Sequence, residues 1–181
     1  MRTFLLTRVS TKEQEDGYSL DAQSARLHEY CARKGLEVAH EYRIVESSTR
    51  GERPEFNKMI SEIRRAREKI ALVCLRIDRL QRSYRHMPLL DDMLSADRIE
   101  IHFAGENLTL TKNSTAVEKM QWSMAVAVAK YYSDAISDNV KTAVKRKVDG
   151  GEWSSKAPPG YLNVRDDRGK ADITIDPDYG P

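Results

Sequence analysis

A dominant charge sign, metal-spaced cysteines, a long apolar run and a glycine-rich phosphate loop are all missing from this 181-residue chain. Its 30 Lys and Arg against 28 Asp and Glu leave a net charge of +2, so bulk electrostatics do not announce a nucleic-acid binder, and any basic surface must be local. The two cysteines, Cys31 and Cys74, lie in apolar-patterned segments with neither a metal spacing nor a disulfide framework. That usage suits core packing in a reducing cytoplasm. No apolar stretch approaches the ~20 residues that span a bilayer, and charged Arg8 and Lys12 arrive too early for a secretory signal. A soluble, intracellular protein with no membrane partner is expected. The length allows one sizeable core with an appendage rather than two full domains.

What is present is an alternation of strand and helix patterns. Arg2 to Thr7 reads as a short buried strand, followed by a polar segment from Ser10 to Ser19. A helix beginning near Asp21 is predicted by Leu20, Leu27 and Cys31, with Lys34-Gly35 supplying a basic last turn and a terminating glycine. Leu36 to Val45 alternates as a second strand, and Glu46 to Pro54 is a polar loop. Pro54 suits the first turn of a helix whose apolar face is Phe56, Met59, Ile60 and Ile63. Ile70 to Leu75 is a continuous apolar run, as in a central strand covered on both faces. A further helix over Tyr84 to Ala96 and a strand over Ile99 to Ala104 complete a mostly parallel sheet flanked by helices, an α/β fold.

From about Thr115 the pattern becomes one long helix, with Met120, Met124, Val128, Tyr132, Ile136, Val140, Val144 and Val148 every fourth residue up to Gly150-Gly151. Four residues exceed one 3.6-residue turn, so this row drifts around the helix and no single flat face can bury it all. The first half is apolar enough to pack on the domain or on a second copy. The second half ends in Lys141, Lys145, Arg146 and Lys147, suited either to tracking a DNA backbone or to a solvated end favoured by the helix dipole. Beyond Gly151 comes a linker-like tail with a strand-pair candidate, Tyr161 to Val164 and Asp172 to Ile175, turning at Asp167-Arg168-Gly169. The expected organisation is 1–112, an α/β domain; 113–149, a long helix; and 150–181, a linker and short irregular tail.

The chemistry concentrates at strand ends, where reacting groups collect in parallel α/β sheets. Ser10 stands in Thr7-Arg8-Val9-Ser10-Thr11, just after the first strand. Serine is a weak nucleophile unless a base or a strongly stabilised transition state assists it. Arg8, Arg53, Arg79 and Arg82 offer the second route, because planar guanidinium forks match phosphate oxygens. Taken singly, each is more readily an ordinary surface arginine, and Asp78 more readily an ordinary structural partner. Two other readings compete: an α/β domain that binds a phosphate without chemistry, and a DNA-binding protein that has kept the fold but lost catalysis. The first strand end has no P-loop lysine-serine or lysine-threonine pair, and the intact Ser10, Arg8, Arg79 and Arg82 argue against the second.

Thr7-Arg8-Val9-Ser10-Thr11 with Gln14, then Ser19-Leu20-Asp21-Ala22-Gln23, Arg53-Pro54 and Asp78-Arg79-Leu80-Gln81-Arg82-Ser83, in that order, resemble the serine site-specific recombinases of the resolvase and invertase superfamily. The likeness covers about residues 1 to 149. It implies a resolvase-like catalytic domain in which Ser10 attacks a DNA phosphodiester, forms a 5′-phosphoserine link and frees a 3′-hydroxyl, with arginines rather than a metal carrying the charge and no cofactor. It further implies that Arg8, Arg79 and Arg82 contact the scissile phosphate with support from Arg53. Asp78 would handle a proton or orient an arginine, and Gln14, Gln23 and either Ser47 or Ser48 would support the site. The implied partners are double-stranded DNA and further copies of the chain, a homodimer assembling to a tetramer on DNA. The implied location is the prokaryotic cytoplasm, on the nucleoid when DNA is bound, and the implied process is integration, excision, inversion or transposition. Gly151-Glu152-Trp153 and Ala157-Pro158-Pro159-Gly160-Tyr161 look like the start of the second domain of the large serine recombinases. The chain departs from the pattern at Leu6, where many relatives carry tyrosine, at Glu46-Ser47-Ser48-Thr49, and at Tyr132-Ser133, where many carry Glu-Arg.

Overall fold

The computed structural model describes residues 1–9, 20–45, 54–81 and 84–180. The chain forms two compact units, Met1–Tyr131 and Tyr132–Pro181.

In the first unit a five-stranded sheet runs in the order β2-β1-β3-β4-β5. Its strands are β1 (Arg2–Val9), β2 (Glu37–Val45), β3 (Ile70–Cys74), β4 (Ile99–Phe103) and β5 (Leu108–Leu110). The first four are parallel, and β5 closes the edge antiparallel to β4. The sheet is therefore mostly parallel, as the sequence predicts. β3 is buried along its whole length, which accounts for its unbroken apolar run.

Helix α1 (Leu20–Lys34) covers one face, where Leu27, Tyr30 and Cys31 pack on Leu5 and Val73. It ends as its sequence directs: Gly35 takes φ 65°, a left-handed conformation that glycine adopts without strain. Helices α2 (Pro54–Arg65) and α4 (Met87–Ser95) cover the other face through Phe56, Met59, Ile63, Leu90 and Leu94. Fully burying each of these side chains stabilises the fold by about 1.5–3 kcal/mol.

Three details differ from the sequence reading. β1 extends to Val9 rather than stopping at Thr7, because Arg8 and Val9 still pair with Ile44 and Val45 on β2. The helix expected over Tyr84 to Ala96 is a 3₁₀ turn at Tyr84–His86 followed by α4. Pro88 is the cause, since proline lacks an N–H and is tolerated in a helix only in its first turn. The charged segment after β3 contains a single-turn helix, α3 (Ile77–Leu80), and β5 is only three residues long; the sequence pattern predicts neither.

The last long element is α5 (Ala116–Asp149), 34 residues. Thr115 and Glu118 form a capping box: the Glu118 N–H donates to Thr115 Oγ1 at 3.3 Å, and the Thr115 N–H donates to Glu118 Oε2 at 2.7 Å. Only Trp122 and Val126 of this helix are buried, while the fourfold row from Met120 to Val148 is exposed throughout.

The second unit contains the rest of α5 and a two-stranded antiparallel hairpin, β6 (Tyr161–Arg165) and β7 (Ala171–Ile175). Asp166 Oδ1 accepts from the Arg168 and Lys170 N–H groups at 2.9 and 2.7 Å, and Gly169 takes φ 76°, so the turn lies where its residues suggest. Trp153 donates its backbone N–H to Ala171 O at 2.7 Å, fastening the segment after α5 to the hairpin.

Candidate active site

In a sheet of order 2-1-3-4-5, the chain leaves β1 and β3 toward opposite faces, and the crevice beyond their carboxyl ends is where α/β proteins hold ligands. Arg8 stands at the end of β1. The segment Arg76 to Gln81 follows β3 directly, and Gly105-Glu106 follows β4. Three neighbouring strand ends thus converge on one place.

Arg8 is 3% exposed. Its side chain reaches across to α3, where Nε donates to Arg79 O at 2.8 Å and Nη2 donates to Asp78 O. The last carbonyls of a helix have no partner of their own, so a guanidinium set against them satisfies both sides. Its backbone is held as well. β1 pairs with β3 only as far as Leu6↔Cys74, and beyond that point Gln23 of α1 supplies what a strand would have given. Gln23 Oε1 accepts from the Arg8 N–H at 3.3 Å, and Gln23 Nε2 donates to Arg8 O at 3.1 Å. Gln23 is itself 4% exposed.

A single helical turn is unstable alone, and α3 is pinned at both ends. Arg76 at its N-cap makes no side-chain cap. Instead the Ile77 N–H donates to Glu106 Oε1 at 3.3 Å, from the turn after β4. Gly105 permits this approach, because a Cβ there would meet Leu75 O at 2.7 Å. Burial is the main cause that pushes the Glu106 carboxyl above its ordinary value, with nearby Asp78 adding to it and Arg76 opposing it. The Asp78 carboxylate lies between Arg76 Nε at 3.5 Å and Arg79 Nε at 3.7 Å. The Arg79 side chain is only 11% exposed. Behind this segment Gln81, 1% exposed, accepts from Trp122 Nε1 at 2.9 Å.

The arrangement concentrates positive charge at the rim of the crevice, where guanidinium groups with low exposure act through little screening water. Of the residues expected at the site, Arg8, Gln23, Asp78 and Arg79 are brought together. Ser10, Gln14, Ser47, Ser48, Arg53 and Arg82 lie outside the described residues. Lys141, Lys145, Arg146 and Lys147 are exposed on the last turns of α5, in the second unit. Sequence reasoning missed Glu106 and Gln81, although Glu106 also stands just past a strand end, the signal that singled out Ser10. Among the described residues no His, Cys, Asp or Glu cluster is arranged to hold a metal ion. A cleft of about 470 Å³ lies elsewhere, lined by Tyr84, Met87, Pro88, Asp91, Lys119, Trp122 and Ser123. None of these arginines lines it.

A mostly parallel sheet with Arg8 buried at its switch point, followed by a long helix, is the arrangement of resolvase-like catalytic domains. Residues 3–153 match the family Resolvase, N terminal domain, and the chain belongs to that family of site-specific recombinases. Among solved structures it is similar to the N-terminal catalytic domain of TP901-1 integrase, at 25% identity and a TM-score of 0.54, covering 75% of this chain and 98% of that one. It shares the fold of a resolvase family site-specific recombinase from Streptococcus pneumoniae, at 21% identity and TM-score 0.54, covering 82% of this chain and 99% of that one. The C-terminal catalytic domain of ISC1926 TnpA, an IS607-like serine recombinase, has the same fold at 16% identity and TM-score 0.50, covering 83% and 99%. Comparison with curated proteins found no match. Among the described residues no helix is long and apolar enough to cross a membrane.

Proposed function

We propose that this recombinase cuts and rejoins DNA through a covalent serine intermediate. Ser10 Oγ attacks the scissile phosphorus, the bond to the 3′-oxygen breaks, and the chain is left joined to the 5′-phosphate while the 3′-oxygen leaves as a hydroxyl. The phosphoester keeps the bond energy, so the freed hydroxyl of an exchanged strand reverses the step without ATP. The observation that carries this reading is the clamp of buried Arg8, two residues before Ser10, on the carbonyls of Asp78 and Arg79. It brings the first and third strand ends together where a phosphate would sit.

In this reading Arg8, Arg79 and Arg82 stabilise the charge on the phosphorane, Arg53 supports them, and Asp78 orients Arg79 or handles a proton. Gln14, Gln23 and Ser47 or Ser48 support the loop that carries Ser10. Residues 1–112 supply catalysis, and 113–149 the oligomerisation helix, whose Lys141, Lys145, Arg146 and Lys147 follow the phosphate backbone. Residues 150–181 begin a DNA-binding domain of the large-recombinase kind. The working assembly is a dimer that pairs into a tetramer on duplex DNA, in the prokaryotic cytoplasm and on its nucleoid. The reaction serves integration, excision, inversion or transposition.

The polarity of the cut tests this. Denaturing quench of a reaction on recombination-site duplex is expected to leave protein on the 5′ ends and polymerase-extendable 3′-hydroxyls, with or without a chelator. Protein on the 3′ ends, or cutting abolished by the chelator, would overturn it.

A further inference from the structure

We propose that Gln81 is a positioning residue: its hydrogen bond from Trp122 ties the arginine-bearing segment after β3 to helix α5, so that the seating of α5 sets the placement of Asp78 and Arg79. The proposal deepens the recombinase reading and rests on it.

Gln81 closes α3, its N–H donating to Ile77 O at 2.8 Å, and it stands directly between Leu80 and Arg82 in the chain. Its side chain turns inward and accepts from Trp122 Nε1 at 2.9 Å, with both residues 1% exposed. Its other amide atom, Nε2, has no hydrogen-bond partner among the described residues. A methionine or leucine would fill the same space but would leave the buried Trp122 N–H without its acceptor, the costly outcome for a buried donor. Packing therefore does not explain a glutamine here. The acceptor it offers to the indole does.

The other end of the bond is equally telling. Trp122 and Val126 are the only buried residues of α5, one turn apart on the stripe that seats the helix on the core. A rotation or slide of α5 must therefore move the indole. α3 is a single turn held by Arg8 and Glu106, so a pull on Gln81 is passed to Asp78 and Arg79 through a short, rigid piece of backbone. Close-packed interiors transmit such shifts instead of absorbing them.

The test uses the full chain, with Trp122→Phe, which keeps the ring and removes the donor, Gln81→Met, which keeps the volume and removes the acceptor, and the double variant. The DNA probe is the duplex that the wild-type chain joins covalently. Each single variant is expected to slow covalent attachment about tenfold at unchanged duplex affinity, since small misplacements of charge-stabilising groups cost this much or more. The double variant should regain the urea midpoint that the singles lose, because removing both partners leaves nothing unmet, yet remain slow. Recovery of the attachment rate together with stability would overturn the proposal, because the bond would then be merely structural. Backbone hydrogen exchange over Asp78 to Gln81 gives an arm that needs no DNA. Faster local exchange in Trp122→Phe, or in Gln81→Met should the first variant fail to fold, supports the coupling, and unchanged exchange overturns it. A wild-type chain that attaches to no duplex would defeat the recombinase reading and leave the exchange arm to decide the coupling.

Discussion

Arg8 illustrates what a sequence can and cannot say about one residue. Its neighbour Ser10 drew attention to it, but among 30 Lys and Arg nothing in the sequence distinguished a buried fork from a surface one. The structure distinguishes it by its acceptors: Asp78 and Arg79 carbonyls that a one-turn helix leaves open. Burying a charge is tolerated only with such compensation. Glu106 shows the same logic with the opposite sign. Burial raises its carboxyl, so the folded protein holds the proton more tightly than the unfolded chain does. The stability this contributes is full below the unfolded value and is lost as the pH rises through the raised one. Glu106→Gln should remove that step. Urea midpoints of the two proteins compared from acid to neutral pH should show the wild type losing ground to the variant as the pH rises, and parallel curves would contradict the role given to burial.

The elements were legible wherever they were long enough to have a period. α2 announces itself through Phe56, Met59, Ile60 and Ile63, and β3 through five consecutive buried residues. α3 and β5, four and three residues long, have no period to read and form only because tertiary partners hold them. α5 was visible in outline, but its start is fixed by Thr115 and Glu118, and hydrogen bonds from the Thr115 backbone and hydroxyl hold the Glu118 carboxyl below its ordinary value. Stability from that carboxylate is present above its unfolded value and lost as the pH falls through the lowered one. Thr115→Ala should cost about 1 kcal/mol, the usual worth of such a cap, read as a lower urea midpoint with faster amide exchange in the first turn of α5. A midpoint equal to wild type would show that the cap contributes nothing.

For the molecule as a whole, the sequence supplied the strand ends but not their neighbours. Ser10 and the Asp78-Arg79 pair are far apart in the chain, and only the order β2-β1-β3-β4-β5 makes the first and third strand ends adjacent. The surface of α5 raises the other question at this scale. Met120, Met124 and Val128 are 55%, 59% and 51% exposed after Trp122 and Val126 have seated the helix. An apolar row of this kind suits a second copy better than water. Sedimentation of the full chain should show concentration-dependent self-association that Met124→Glu with Val128→Glu abolishes, and a wild type that stays monomeric at high concentration would contradict the assembly. The central claim is that the crevice at the β1 and β3 ends exists to drive Ser10 into a phosphodiester. Mass spectrometry of the nuclease-trimmed protein–DNA adduct tests it most directly. A nucleotide phosphate on the peptide containing Ser10, absent when Ser10→Ala is used, is the predicted result, and an adduct on any other residue, or one that survives Ser10→Ala, would contradict it.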